Sequence, residues 1–437
     1  METSAIPAEP VGEPFLTGDV LAELEQPVEG PFPYRKAINY SVANLGASLF
    51  YGLFNFGMPL YLRAYGLPAW LIGLLANERS FVGALVQPVV GRMSDRLRTP
   101  LGRRRPFFLV GIPLVCVGML ALAYHPELWV MIGIMAVLAF FLAVAWDPYM
   151  AMMADIFSEK QRGRVGGILG LGVGLGNITF GIIALTLWGD HEFTVFIIII
   201  VVMITAWAYT FFTVKEPPAS LLRENPTEKV GTPNPVEYVR SLRRYPEAAK
   251  YTLAITFFWF GTGGVIPFIT PFAVSVLGVT ESESFILVLA ATGVNALLAV
   301  PFGLLADRFS KKRVMTLGLF AFGIIAIVGS QAQNLLQGTI VMALAGGANA
   351  AMAMINPMLI DLVPRKRTAE FVGLVSSVFS FAQPLGSVLA GLVAGLAAIF
   401  VGGSESYRWT FITAGIMLII SAILLRNVHP EGVVAEE

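Results

Sequence analysis

The chain has 437 residues, 56% of them hydrophobic and only 13% charged, with a mean hydropathy of +0.72. Soluble domains carry roughly 25% charged residues, so an ordinary water-soluble globule is excluded and the chain belongs in a bilayer. Its 29 Lys and Arg balance 29 Asp and Glu, a neutrality that carries no information about partners, and the single Cys116 supplies neither a disulfide framework nor a metal cluster.

Residues 1–34 read as a disordered acidic cytoplasmic tail. The first 33 hold seven acidic residues, six prolines and no basic residue, the wrong charge for a signal peptide. A membrane span needs about 20 apolar residues. Twelve candidates follow, at 39–62, 69–91, 107–124, 129–150, 166–187, 193–213, 251–276, 285–305, 314–331, 338–360, 371–397 and 409–425. They form an N-terminal six-helix half (35–213) and a C-terminal six-helix half (251–427), joined by a cytoplasmic linker (214–250) and followed by a short tail (428–437). The linker is rich in proline, and its last part, from Val236 to Lys250, suits a short basic helix on the anionic inner leaflet. With the N-terminus inside, 26 of the 29 Lys and Arg fall in cytoplasmic segments. Short basic loops stay cytoplasmic, so both termini are expected there, in a multi-pass protein of the cell membrane.

The chain repeats itself. Gly91-Arg92-Met93-Ser94-Asp95-Arg96 and Gly303-Leu304-Leu305-Ala306-Asp307-Arg308 share Gly-x-x-x-Asp-Arg. Each copy closes an apolar run and opens a basic loop, Gly102 to Arg105 with Arg103 and Arg104 in the first, Lys311 to Arg313 in the second. A second echo places Asp155 12 residues before Gly167 and Asp361 12 before Gly373, the mark of a duplicated membrane protein. In the fifth span Gly166, Gly170 and Gly174, with Gly172 and Gly176 as a second ridge, predict a helix crossing. The seventh span holds Gly261, Gly263, Gly264, Pro267 and Pro271. It is expected to bend or unwind, which at membrane depth is tolerated only within protein or along a water-filled cavity. Trp70, Trp129, Trp188 and Trp409, near the outer ends of their spans, read as interfacial anchors.

Ionisable groups within spans are the sharpest functional pointers, because each costs about 2.5–3.5 kcal/mol at a helix centre. Glu78 and Arg79 lie in the second span and Asp147 in the fourth. Adjacent residues on a helix point about 100° apart, so Glu78 and Arg79 do not simply face one another. Glu78 and Asp147 are candidate coupling groups, whose proton affinity changes as water or a cation arrives; the alternative for each is a permanently paired structural charge. Arg79 is a candidate substrate or gating charge. Among uncharged groups Asn55, Asn295 and Asn356 are candidate ligand contacts, and Trp146, Tyr149 and Trp259 could stack on a ring, although such groups also serve as interhelical glue and packing. No phosphate-binding loop, His-Glu-x-x-His or Gly-x-Ser-x-Gly motif occurs, so neither primary pumping nor hydrolysis is indicated, and no cofactor, metal or nucleic acid is expected.

Two six-span halves, a central linker and Gly-x-x-x-Asp-Arg after spans two and eight resemble the major facilitator superfamily over residues 35–428. The resemblance implies an all-α polytopic membrane protein with twelve transmembrane helices in two pseudo-symmetric halves. It also implies that Asp95 and Asp307 each sit beside the N-terminus of a helix from the other half and latch the cytoplasmic side closed, with Gly91, Gly303, Arg96, Arg103, Arg104 and Arg308 completing the gate. Ser94-Asp95-Arg96 followed by Gly102-Arg103-Arg104-Arg105-Pro106-Phe107, and Asp147-Pro148-Tyr149 leading to Ala154-Asp155, are similar to the sucrose and glycoside-pentoside-hexuronide symporters. In the fourth span the chain departs from the plant sucrose carriers, with Met150 at their arginine position and Asp147 at their glycine position. The resulting expectation is a monomeric, non-enzymatic secondary transporter working by alternating access. It would carry a sugar or glycoside in symport with a proton, sodium being the alternative ion. A proton-driven exporter of amphipathic compounds and a non-transporting membrane receptor or assembly factor are the rival readings.

Overall fold

Where lipid offers no hydrogen bonds, a chain must satisfy its backbone internally, and among the described residues it does so in helices. A computed structural model describes residues 32–216, 244–363 and 368–429. The acidic tail before residue 32, most of the linker with its expected surface helix, and the end of the C-terminal tail lie outside the described residues.

Segment α1 runs as Tyr34–Gly52, a π-turn at Leu53–Gly57 and Met58–Ala64. Segment α2 runs as Ala69–Ala76 and Glu78–Arg96, bent by 43° around Asn77. Then follow α3 (Arg105–Leu122), α4 (Leu128–Ile156), α5 (Glu159–Leu187) and α6 (Glu192–Thr213). The second half begins with α7, Pro246–Val265 and Ile269–Val276 around a 3-10 turn at Ile266–Phe268. After α8 (Glu281–Arg308) and α9 (Lys311–Gly329) comes α10, broken by a 3-10 turn at Ala351–Met354 within Leu335–Ile360. Segments α11 (Thr368–Val401) and α12 (Arg408–Arg426) complete the fold. Among the described residues ten helices are long and apolar enough to cross a membrane, and α2 makes eleven when its bent parts are taken together. Segment α1, interrupted by its π-turn, completes the twelve expected. Segment α4 extends to Ile156, beyond the apolar run that ends at 150, because its last turn carries the polar residues of the basic end.

The breaks have local causes. Pro59 brings no N–H to the start of the second helix of α1, and the Met58 N–H reaches back five residues to the Leu53 carbonyl. In α7 the glycine- and proline-loaded stretch yields the 3-10 turn at Ile266-Pro267-Phe268, as its sequence predicts. The two irregular stretches face each other: Thr270 Oγ1 donates to the Phe56 carbonyl at 2.7 Å, joining the halves.

Two further seams join the halves at this end. Between α2 and α11, Asn77 Nδ2 donates to Ser387 Oγ at 3.0 Å, and Gly73 and Gly391 let the backbones meet. Between α5 and α8, Phe285 packs on Phe180 at 5.7 Å and on Trp188 at 5.5 Å. One apolar core therefore runs through the N-terminal half and across into Phe268, Phe272, Phe285 and Phe411. The other core, around Tyr251, Met315 and Phe371, contains residues of the C-terminal half alone. The halves are continuous at one end of the molecule and separate towards the other, which carries the basic loops. On the α2/α11 seam Phe81 and Phe381 still approach at 6.1 Å. Beyond them Leu85, Val89, Leu171, Val300 and Leu304 are exposed, and a side chain built at Gly83, Gly91, Gly166, Gly170 or Gly373 would meet nothing within 4 Å.

One expectation is refined here and one is overturned. Of the two ridges expected on α5, Gly172 and Gly176 make the crossing with α1, a Cβ on Gly176 standing 2.4 Å from Ser48 Cβ; on the other ridge a Cβ on Gly174 would stand 3.6 Å from Ala296 Cβ of α8, and one on Gly166 or Gly170 would meet nothing within 4 Å. Trp188 is no interfacial anchor. It is 2% exposed and buried between the halves, where it also lies against Gly57.

Candidate functional site

The gap between the halves is open at the basic-loop end and closed at the other. Asp147 sits on α4 between Trp146 and Pro148. Its Oδ2 is buried without a hydrogen-bond partner, and among the described residues it makes no salt bridge. Carboxylates inside membrane helices are mostly paired, so an unpaired one marks a candidate functional group. Next to it the half-buried Trp146 ring packs edge-on to Tyr51 of α1 at 5.6 Å. Buried carbonyl oxygens of Asn177 on α5 and Asn349 on α10 also lack hydrogen-bond partners. Such groups are costly unless a ligand or water satisfies them.

The remaining expected contacts divide. Glu78 and Arg79 begin the second helix of α2, and their side chains lie outside the described residues, as does that of Asp307. Asn55 lies half-buried in the α1 π-turn, and Asn356 is exposed near the inner end of α10. Trp259 of α7 packs against Phe379 of α11 at 4.3 Å, with its indole N–H buried and unpaired. Asn295 Nδ2 donates to the Gly346 carbonyl at 3.2 Å, a bond between α8 and α10. Tyr149 offers no face to a ligand: it is 0% exposed and stacked on Tyr40 at 4.6 Å. The two tyrosines donate reciprocally, Tyr149 Oη to the Tyr40 carbonyl at 2.7 Å and Tyr40 Oη to the Tyr149 carbonyl at 2.6 Å, so the pair holds α4 to α1.

At the basic end the charges are arranged within each half. Asp155, in the last turn of α4, accepts from Arg103 Nη2 and Arg104 Nε, both at 2.5 Å, and Asp95 lies 3.2 Å from Arg104. In the second half Asp361, just after α10, accepts from Lys311 Nζ at 2.7 Å. The two arrangements repeat one design: an acid ending the fourth helix of a half holds the basic start of its third. The sequence echo at Asp155 and Asp361 marks these acids, but their partners emerge only in three dimensions. A further carboxylate, Glu216, follows α6 and accepts the backbone N–H groups of Arg103 (2.8 Å), Arg104 (3.0 Å) and Arg105 (2.8 Å). It thereby caps the positive end of α3, whose first N–H groups have no helical partner. Gly102 makes the approach feasible, with φ +108 and a position where a Cβ would stand 2.7 Å from the Glu216 carboxylate.

Among the described residues Asp95 does not reach a helix of the opposite half. It is 58% exposed and turned towards Arg104 of its own half, because the inner ends stand apart. Gly91 faces the gap, Gly303 lies loosely against Met354, and Arg96 and Arg308 are exposed.

The Major Facilitator Superfamily profile matches residues 40–296 and 251–436, two overlapping stretches that together cover nearly the whole chain. The chain belongs to this superfamily. It is a transporter rather than an enzyme. Among curated members, the MFS-type transporter YxiO of Bacillus subtilis (strain 168) is 24% identical over 386 residues, 82% of this chain and 85% of that one. Sucrose transport protein SUT3 of Oryza sativa subsp. indica is 32% identical over 73 residues, so the chain matches only 14% of that protein's length, through 17% of its own. Two solved structures share the fold. A bacterial homologue of the human lysosomal transporter Spinster, in an inward-facing and occupied conformation, superposes with a TM-score of 0.73 at 15% identity, covering 94% of this chain and 100% of that one. A D-xylose-proton symporter gives 0.72 at 13% identity, covering 92% and 99%.

Proposed function

We propose that this superfamily member carries a sugar or glycoside in symport with a proton, by alternating access between two states of which the present one is open to the cytoplasm. The observation that carries the reading is the half-buried Asp147 carboxylate on α4, beside Trp146 and without a partner among the described residues. A proton taken up there with substrate from the opposite side would be released to water entering from the basic-loop end, which the positive-inside bias assigns to the cytoplasm. Glu78 and Arg79 stand as second coupling and gating candidates. Closure of the inner end would bring Asp95 and Asp307 towards the positive N-termini of α11 and α5, a latch worth typically ~0.3–1 kcal/mol per charge–dipole contact. The membrane potential supplies about 2.3 kcal/mol per charge per 100 mV, which corresponds to roughly fifty-fold accumulation. The SUT3 match and the fold shared with a D-xylose-proton symporter support a sugar as cargo.

The test is external pH in lightly buffered proteoliposomes on addition of sugars and glycosides. Alkalinisation with one sugar, lost in Asp147→Asn while sugar exchange without net flux persists, is the expected outcome. Full proton-coupled uptake in both Asp147→Asn and Glu78→Gln would overturn the coupling assignment.

A further inference from the structure

Where the halves meet at the closed end, they leave a cavity of about 390 Å³ lined by Arg63, Val274, Ser275, Gly403, Ser404 and Tyr407. Arg63 comes from the last turn of α1, in the N-terminal half; every other lining residue comes from the C-terminal half. Its chemistry is one-sided. The Arg63 side chain has no salt-bridge or hydrogen-bond partner among the described residues. Ser275 Oγ is buried and unpaired, and Tyr407 lines the same cavity as Arg63. The positive end of α12, a helix of 19 residues, begins at Arg408, directly after Tyr407. No carboxylate lines the cavity, and Glu405, next to Ser404 in sequence, is taken by Arg408 Nε. Donors converging on an opening without an acceptor describe an anion site, and the volume lies at the small end of the range for small-molecule pockets.

We propose that this cavity binds a small hydroxylated organic anion, its acidic group on Arg63 and its hydroxyls on Ser275 and Tyr407. Because one half supplies the charge and the other the remaining contacts, the site is whole only while this end is closed. A ligand that prefers one state shifts the population towards it, so the anion holds the carrier closed at this face. That consequence rests on the alternating-access reading; the binding does not.

The experiment is thermal unfolding of the purified full chain, followed by tryptophan fluorescence, with millimolar glucuronate, glucose 6-phosphate or uncharged glucose, and calorimetric titration of whichever acts. The expected result is a rise in midpoint with the two anions and none with glucose, and affinity about tenfold weaker in Arg63→Gln, or 1.4 kcal/mol. Tyr407→Phe, which keeps the ring, should weaken binding more modestly and stands in if Arg63→Gln does not fold. Unchanged affinity in both variants, a response to glucose equal to that of the anions, or no response in the wild type would overturn the assignment. Anion binding through Arg63 in a protein that moves no substrate would refute the transport mechanism and leave the site standing.

Discussion

The closed end depends on backbone-to-backbone approach, and Gly73 tests that directly. An added methyl at Gly73 would stand 2.7 Å from the Ser387 carbonyl oxygen and 2.9 Å from its carbon, too close for either helix to remain where it is. Overpacking of this kind costs about 1–3 kcal/mol. In Gly73→Ala that cost falls on the state in which α2 and α11 touch, while the gain in helix propensity is common to both states and cancels. The population of the closed-end state should fall roughly 5- to 150-fold relative to its alternative, the range for a coupling of this size. Gly391→Ala acts at the same seam, with its Cβ 2.5 Å from Trp70 Cα, so the two effects should not add. The assay is labelling by a membrane-impermeant maleimide of Thr270→Cys, a buried position on the separate α1/α7 seam, in a Cys116→Ala background. Faster labelling when Gly73→Ala is added is the expected result. An unchanged rate in folded, correctly inserted protein would refute the argument that these glycines permit closure.

Three other outcomes are expected. Asp155→Asn strands Arg103 and Arg104 at the inner end, where Asp155 and Arg104 side chains are 9% and 7% exposed, and should destabilise the protein by about 3 kcal/mol, read from its unfolding midpoint. Tyr149→Phe removes the 2.7 Å bond to the Tyr40 carbonyl and should cost about 1 kcal/mol of stability while leaving uptake intact. Lost uptake at unchanged stability would instead make Tyr149 a substrate contact. Initial uptake by the wild type should fall as the outside is made alkaline, since fewer protons are available to bind at Asp147, and Asp147→Asn should flatten that profile; a wild-type rate indifferent to outside pH would argue against proton coupling.

Twelve apolar runs, a repeated Gly-x-x-x-Asp-Arg and the clustering of Lys and Arg made the helical halves and the basic end readable, because lipid permits few backbone solutions and each run must cross alone. The break in α7 was equally legible, since glycine and proline act on their own turn. Partners across the fold were not. Nothing in the order of residues distinguishes the Gly172 and Gly176 face of α5, seated on α1, from the Gly166 and Gly170 face, which meets the gap. Nor does it reveal that Tyr149 spends both ring and hydroxyl on Tyr40, that Trp188 is buried between halves, or that Glu216 caps a helix begun more than a hundred residues earlier. The sequence by itself determined that this chain is a duplicated membrane protein with a charged end and a carboxylate at Asp147. Only the tertiary structure decided which end is sealed, which polar groups are left without partners, and that Arg63 meets the other half at a cavity, because these depend on packing between segments distant in sequence.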